Sequence, residues 1–156
     1  MIVKLSKDQL AVCDDLSKHR WNICRQNGQK GERLKFDNPG HDDYVGLAGE
    51  LAVAEYLSVE PNLGDTKIDY DLEIPQGYVD VKSTERQNGN LLAPLRQKKH
   101  PTDIYILCTI NAPAVDIVGY VLASEFMVDE NIRNIGGGDC YFLSREELHP
   151  VEELLQ

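Results

Sequence analysis

The stretch Asp71-Leu-Glu-Ile-Pro-Gln-Gly-Tyr-Val-Asp80-Val-Lys82 constrains the fold of this chain more than any other. Two short runs in which apolar and charged residues alternate flank a Gln76-Gly77 turn, the pattern of a β-hairpin with one face in a core. With Gln76 and Gly77 as a two-residue loop, Ile74 faces Val79, Glu73 faces Asp80, Leu72 faces Val81 and Asp71 faces Lys82. Leu72, Ile74, Val79 and Val81 then form the buried face, and Asp71, Glu73, Asp80 and Lys82 project together from the other. A slip of one residue would mix charge and hydrocarbon on both faces, so the alternation favours this arrangement.

Around the hairpin the chain reads as α/β. Ser6 and Gln9 make a capping box ahead of Leu10, Cys13, Leu16 and Ile23, which recur at helical spacing to about Asn27. A polar loop follows to Gly40. A second helix is expected from Asp42 or Asp43, either of which suits its N-cap, to Leu57, with the stripe Tyr44, Leu47, Ala48, Leu51 and Ala54. Beyond Thr66 the period shifts from helical to two, with strands expected at Asp69 to Ile74, Tyr78 to Thr84, Ile104 to Ile110 and Val115 to Ala123. A short helix is expected over Leu91 to Lys99 with Pro94 in its first turn, then a strand from Cys140 to Leu143 and a helical turn from Ser144. The 156 residues read as one domain: an N-terminal helix and loop (1–41), a core (42–124) and a C-terminal strand and turn (125–156).

No apolar run approaches the roughly 20 residues that span a bilayer, and Met1 to Gln9 lacks a signal-peptide pattern, so a cytoplasmic protein with no membrane partner is expected. Cys13, Cys24, Cys108 and Cys140 are scattered and read as reduced, small hydrophobes; with His19 and His41 they match no common metal spacing. The net charge of −10 opposes indiscriminate coating of nucleic acid. Basic residues nevertheless concentrate in two stretches, Lys18, His19, Arg20, Arg25, Lys30, Arg33 and Lys35, then Arg86, Arg96, Lys98, Lys99 and His100. A local basic groove on an acidic body is one reading of them, and simply solvated faces the other.

Clustered carboxylates repel one another unless a cation sits among them, and a hard divalent ion with oxygen ligands removes the repulsion, so Mg²⁺ or Mn²⁺ is the natural cofactor. Glu50 borders the apolar stripe of the second helix and can reach such a cluster; Glu55, on the stripe's other edge, is the alternative. Lys82, two residues from Asp80 on one strand face, can orient an attacking water and stabilise the charge that develops on phosphorus. Taken alone, Asp71 and Lys82 would be a cross-strand ion pair contributing only about 0.2 to 1 kcal/mol. It is the order of helix-borne Glu, strand Asp, Asp-x-Lys after a tight hairpin, and two further apolar strands that carries the chemistry.

That order resembles the PD-(D/E)XK, or restriction-endonuclease-like, nuclease superfamily, with its αβββαβ core in which helices flank a central mixed sheet; here an extra N-terminal helix precedes it. Gly46-Leu-Ala-Gly-Glu50-Leu-Ala-Val-Ala-Glu-Tyr-Leu57 looks like the first core helix, Asp71 like the first acid, and Asp80-Val-Lys82 like the (D/E)XK half. Tyr70 stands where many members carry proline. Lys82-Ser-Thr84 and the following strand pair resemble small bacteriophage members. The resemblance implies that Asp71, Asp80 and the Val81 carbonyl hold Mg²⁺, that Glu50 assists and that Lys82 serves the water. Arg86, Arg96, Gln97, Lys98 and Lys99 are the candidate nucleic-acid contacts, the expected substrate is DNA, and a homodimer would supply the two sites that cutting both strands needs. The alternative from the same residues is a catalytically inactive nuclease fold serving as an accessory or structural protein of a larger assembly, such as a phage's.

Overall fold

The computed structural model describes residues 1–26, 40–64 and 69–156. The loop expected before Gly40, with Lys30, Arg33 and Lys35, lies outside the described residues. β1 (Ile2–Lys4) leads into α1 (Lys7–Gln26), whose start is closed reciprocally: Ser6 N–H donates to Gln9 Oε1 at 2.7 Å and Gln9 N–H to Ser6 Oγ at 3.2 Å. α2 (His41–Leu57) is N-capped by Gly40 and not by an aspartate; Asp42 and Asp43 occupy its first turn, where their charge meets the positive end of the dipole. Then come β2 (Leu72–Ile74), β3 (Gly77–Thr84), β4 (Leu91–Pro94), a 3₁₀ stretch Leu95–Lys99, β5 (Ile104–Asn111) and β6 (Ala114–Leu122). α3 (Ala123–Phe126), β7 (Ile132–Asn134), β8 (Asp139–Leu143) and 3₁₀ turns at Arg145–Glu147 and Val151–Leu155 complete the chain.

The fold is mixed α/β. A five-stranded sheet runs β1-β6-β5-β3-β2, with β3 and β5 parallel and the other neighbours antiparallel; a second, three-stranded sheet runs β4-β8-β7. β5 is central, and its Ile-Tyr-Ile-Leu-Cys-Thr-Ile run is apolar throughout because both of its faces are covered. On one face Val79, Val81, Ile104 and Ile106 pack under Leu47 and Leu51 of α2. On the other, Tyr105, Leu107 and Val121 are covered by Leu91, Phe126 and Tyr141. Helices thus cover one face of the central sheet, and the small sheet with α3 covers the other. Phe126 is fully buried, with Tyr105 at 5.2 Å and Tyr141 at 6.0 Å between ring centres. Phe126→Ala is expected to destabilise by about 3–5 kcal/mol in urea titration, and a loss below about 1 kcal/mol would show that this second core is not coupled to the first.

The segment expected to be helical over Leu91 to Lys99 is helical only in its second half. In β4, Leu91 and Ala93 are buried while Leu92 and Pro94 are exposed, a period of two. Pro94 is tolerated because β4 lies at the edge of its sheet, where a missing N–H breaks no ladder. β1 and β7 were not expected from the sequence; at three residues each they are too short to display a period.

The β2–β3 hairpin keeps the expected faces but not the expected register. Leu72 pairs with Val79, Glu73 with Tyr78 and Ile74 with Gly77, so Pro75-Gln76 forms the loop. This is a shift of two residues along β3, which conserves parity and leaves Leu72, Ile74, Val79 and Val81 buried. Gly77 explains it: its φ is +136°, and a Cβ there would collide with Asp103, whose Oδ2 accepts the Tyr78 N–H at 2.9 Å. Among the described residues no helix is long and apolar enough to cross a membrane.

Candidate functional site

β3 projects Asp80 and Lys82 to the face shared by Tyr105 and Leu107, their parallel partners on β5. Asp80 is buried, with Oδ1 2.5 Å from Lys82 Nζ and Oδ2 accepting from Gln97 Nε2 at 3.1 Å. Lys82 Nζ stands 6.0 Å from the Tyr105 ring centre, within cation–π range. Burial, and then the Asp80 charge, push the Tyr105 hydroxyl up to about 12.

Asp71 sits where the β2–β3 ladder ends. Its N–H donates to the Val79 carbonyl at 2.9 Å, and its Oδ2 accepts the Val81 N–H at 2.7 Å, satisfying a donor that a longer β2 would have met. Continuing the observed pairing by one step brings Asp71 opposite Asp80, not opposite Lys82 as the expected register had it. Glu73 pairs with Tyr78, is exposed, and falls outside the cluster.

Glu50 reaches the same strand edge from α2. That helix is buried on most sides, Val45, Leu47 and Ala48 as well as Leu51, Ala52 and Val53, so Glu50 has no wet face to turn to. It comes close because residue 49 is glycine: a Cβ there would collide with Ser83 Oγ and stand 3.3 Å from Val81 Cγ1. Glu50 Oε2 is buried with no hydrogen-bond partner, and Oε1 lies 3.9 Å from Arg20 Nη1 on α1. Glu55, the alternative acid, is exposed and accepts from Gln9 Nε2 at 2.7 Å, away from the cluster. Gly49→Ala is expected to destabilise by about 1–3 kcal/mol. Adding Ser83→Ala should recover more than half of that in a double-mutant cycle, because it removes the colliding hydroxyl; no recovery would mean that this contact does not set the helix position.

The electrostatics follow from this crowding. Burial, then the Asp71 charge, push Glu50 up to about 8, with Asp80 and Asp43 adding to the rise and Arg20 opposing it. Burial, then Asp80, raise Asp71 to about 6 against the Val81 N–H, Lys82 and Arg20. Asp43 is raised too, by burial first, with Arg20 again opposing. From the sequence Arg20 was named only within a basic stretch and Asp43 only as an N-cap candidate, and neither they nor Tyr105 were placed in the cluster. Arg20 was detectable as the third member of an i, i+4, i+7 row with Cys13 and Ser17, both buried.

Glu50 Oε2, Asp80 Oδ1 and Gln97 Oε1 are all buried oxygen acceptors without a hydrogen bond. The Lys82 contact to Asp80 Oδ1 is close enough for an ion pair yet lacks hydrogen-bond direction. An oxygen-only set of this kind suits a hard divalent cation. Among the described residues, however, no three His, Cys, Asp or Glu side chains stand ready as a metal site. Lys82 pairs with one Asp80 oxygen, and the Val81 N–H donates to one Asp71 oxygen.

Of the expected nucleic-acid contacts, Gln97 is drawn into the cluster as the Asp80 partner, while Arg96, Lys98 and Lys99 on the same 3₁₀ stretch are exposed, as is Arg86 beyond β3. Cys13, Cys24, Cys108 and Cys140 are free thiols. Comparison of the chain with protein-family models, with curated proteins and with solved structures finds no match.

Proposed function

We infer that the protein is a metal-dependent nuclease that hydrolyses phosphodiester bonds of DNA on a restriction-endonuclease-like scaffold. The observation that carries this reading is that Glu50, Asp71 and Asp80 lie close enough for their charges to interact, with Lys82 paired to Asp80, and that burial and then mutual repulsion hold Glu50 and Asp71 above their ordinary range. Glu50, Asp71, Asp80 and the Val81 carbonyl are the residues that would hold Mg²⁺ or Mn²⁺. When bound, the ion lowers the pKa of water and polarises a phosphoryl oxygen. Lys82 positions the attacking water and compensates negative charge developing at phosphorus. Gln97 fixes the Asp80 carboxylate through Oδ2. The exposed Arg86, Arg96, Lys98 and Lys99 would attract the DNA backbone to an otherwise acidic chain. A homodimer would bring two such sites to the two strands. A reducing cytoplasm fits the free thiols.

Plasmid, linear duplex and single-stranded DNA incubated with Mg²⁺ or Mn²⁺ should be cut, and EDTA should stop the reaction. No cleavage of any substrate with either ion would remove the reading. The alternative is an inactive nuclease fold working in a larger assembly. Calorimetry separates the two, since the enzyme should take up Mn²⁺ and lose that uptake in Asp71→Asn, whereas an inactive fold should take up none.

A further inference from the structure

We propose that Arg20 is a phosphate-binding residue of the carboxylate cluster, engaging a backbone oxygen of a nucleic acid through its guanidinium. The inference rests on the nuclease reading for its ligand, but its evidence is separate. α1 docks on α2 through Cys13, which is fully buried, and Ser17, at 4% exposure. One turn on, the same face carries Arg20, so packing delivers its stem to the cluster while the side chain keeps 27% of its surface in water.

Among the described residues, the ion pair of this guanidinium is a loose one. Its contact to Glu50 Oε1 is 3.9 Å, longer than a hydrogen bond, and the other Glu50 oxygen is buried with no hydrogen-bond partner among the described residues. An arginine serving only to neutralise Glu50 would close a bidentate fork on both oxygens at about 2.7–2.9 Å. Arg20 stands instead at the wet border of three acids, Asp43, Glu50 and Asp71, all of which feel its charge. A polyanion approaching these carboxylates needs a cation at that border, and the planar fork matches a phosphate as well as a carboxylate.

The test is binding of a fluorescein-labelled 20-nucleotide DNA, single-stranded and duplex, by anisotropy in Ca²⁺ over a salt series. Removing one phosphate contact in Arg20→Ala should weaken binding about 3–10-fold and reduce the slope of log affinity against log salt by about one. Arg20→Lys, which keeps the charge but not the fork, should retain the slope and recover part of the affinity. Mn²⁺ uptake by Arg20→Ala should be unchanged or tighter, because a positive charge beside the acids is gone. A wild-type salt slope in Arg20→Ala, or a loss of Mn²⁺ uptake with the slope intact, overturns the proposal in favour of a purely structural counter-ion. Should Arg20→Ala not fold, Arg20→Gln takes its place with the same expected slope change. DNA that is bound but never cut sinks the nuclease reading and leaves Arg20 standing; cleavage with an unchanged slope does the reverse.

Discussion

Lys82→Met is expected to lower kcat for DNA cleavage about 10²–10³-fold with little change in KM, the signature of a group that acts on charge developing in the transition state. Methionine keeps an apolar stem beside Tyr105, so the fold should survive, while the ammonium now 2.5 Å from Asp80 is gone. Asp80→Asn should do at least as much damage. Its side chain can still accept from Gln97 Nε2, so packing is preserved, but it loses the charge that a divalent ion needs. Single-turnover rates with saturating Mg²⁺ measure both variants. Wild-type rates in both would assign the cleavage to another protein in the preparation and end the proposed function.

Glu50→Gln is expected to stabilise the protein at alkaline pH while abolishing metal-dependent activity. Glu50 titrates near 8 in the folded chain against an ordinary value of 4.5, so between these limits the native state binds a proton that the unfolded state has released. Stability from this group is therefore full below about pH 4.5 and falls as pH rises toward about 8. Asp71, raised by burial and then by Asp80, adds a loss of the same sign. Glutamine cannot ionise, so the Tm of Glu50→Gln should match wild type near pH 4.5 and exceed it by about 5–10 °C near pH 8.5, equivalent to about 2–4 kcal/mol. Saturating Mg²⁺ should narrow the gap by neutralising the wild-type carboxylate. Equal melting curves across this range would mean that Glu50 is not held against its charge. A side chain that destabilises its own fold when ionised would be relieved by a bound cation, the trade of stability for function that the proposed metal site implies.

Much of the site was legible because alternation reports parity. Leu72, Ile74, Val79 and Val81 had to share a face, and they do. Parity cannot distinguish registers that differ by two, however, and the loop came out as Pro75-Gln76 because Gly77 needs its positive φ against Asp103. The same limit hid β4, whose alternation of Leu91 and Ala93 against Leu92 and Pro94 is only four residues long and reads as a helix when Leu95 to Lys99 is included. Gln97 was singled out for a phosphate; that its amide holds Asp80 is a contact between positions 17 residues apart, which local spacing cannot foresee.

The amino-acid sequence by itself determined which residue types were available and which face of each element they occupied: a helix carrying Glu50, a strand carrying Asp80 and Lys82, and an acid at position 71 ahead of the turn. Those properties follow from local periodicity, which any contiguous segment carries within itself. Only the tertiary structure decided how deep Glu50 sits, that Arg20 of an N-terminal helix stands beside it, and that Asp71 caps the Val81 N–H at the sheet edge. Depth and proximity depend on which surfaces are pressed together, here α1 on α2 and Gly49 on Ser83, and desolvation acts on a carboxylate only after that packing has excluded water.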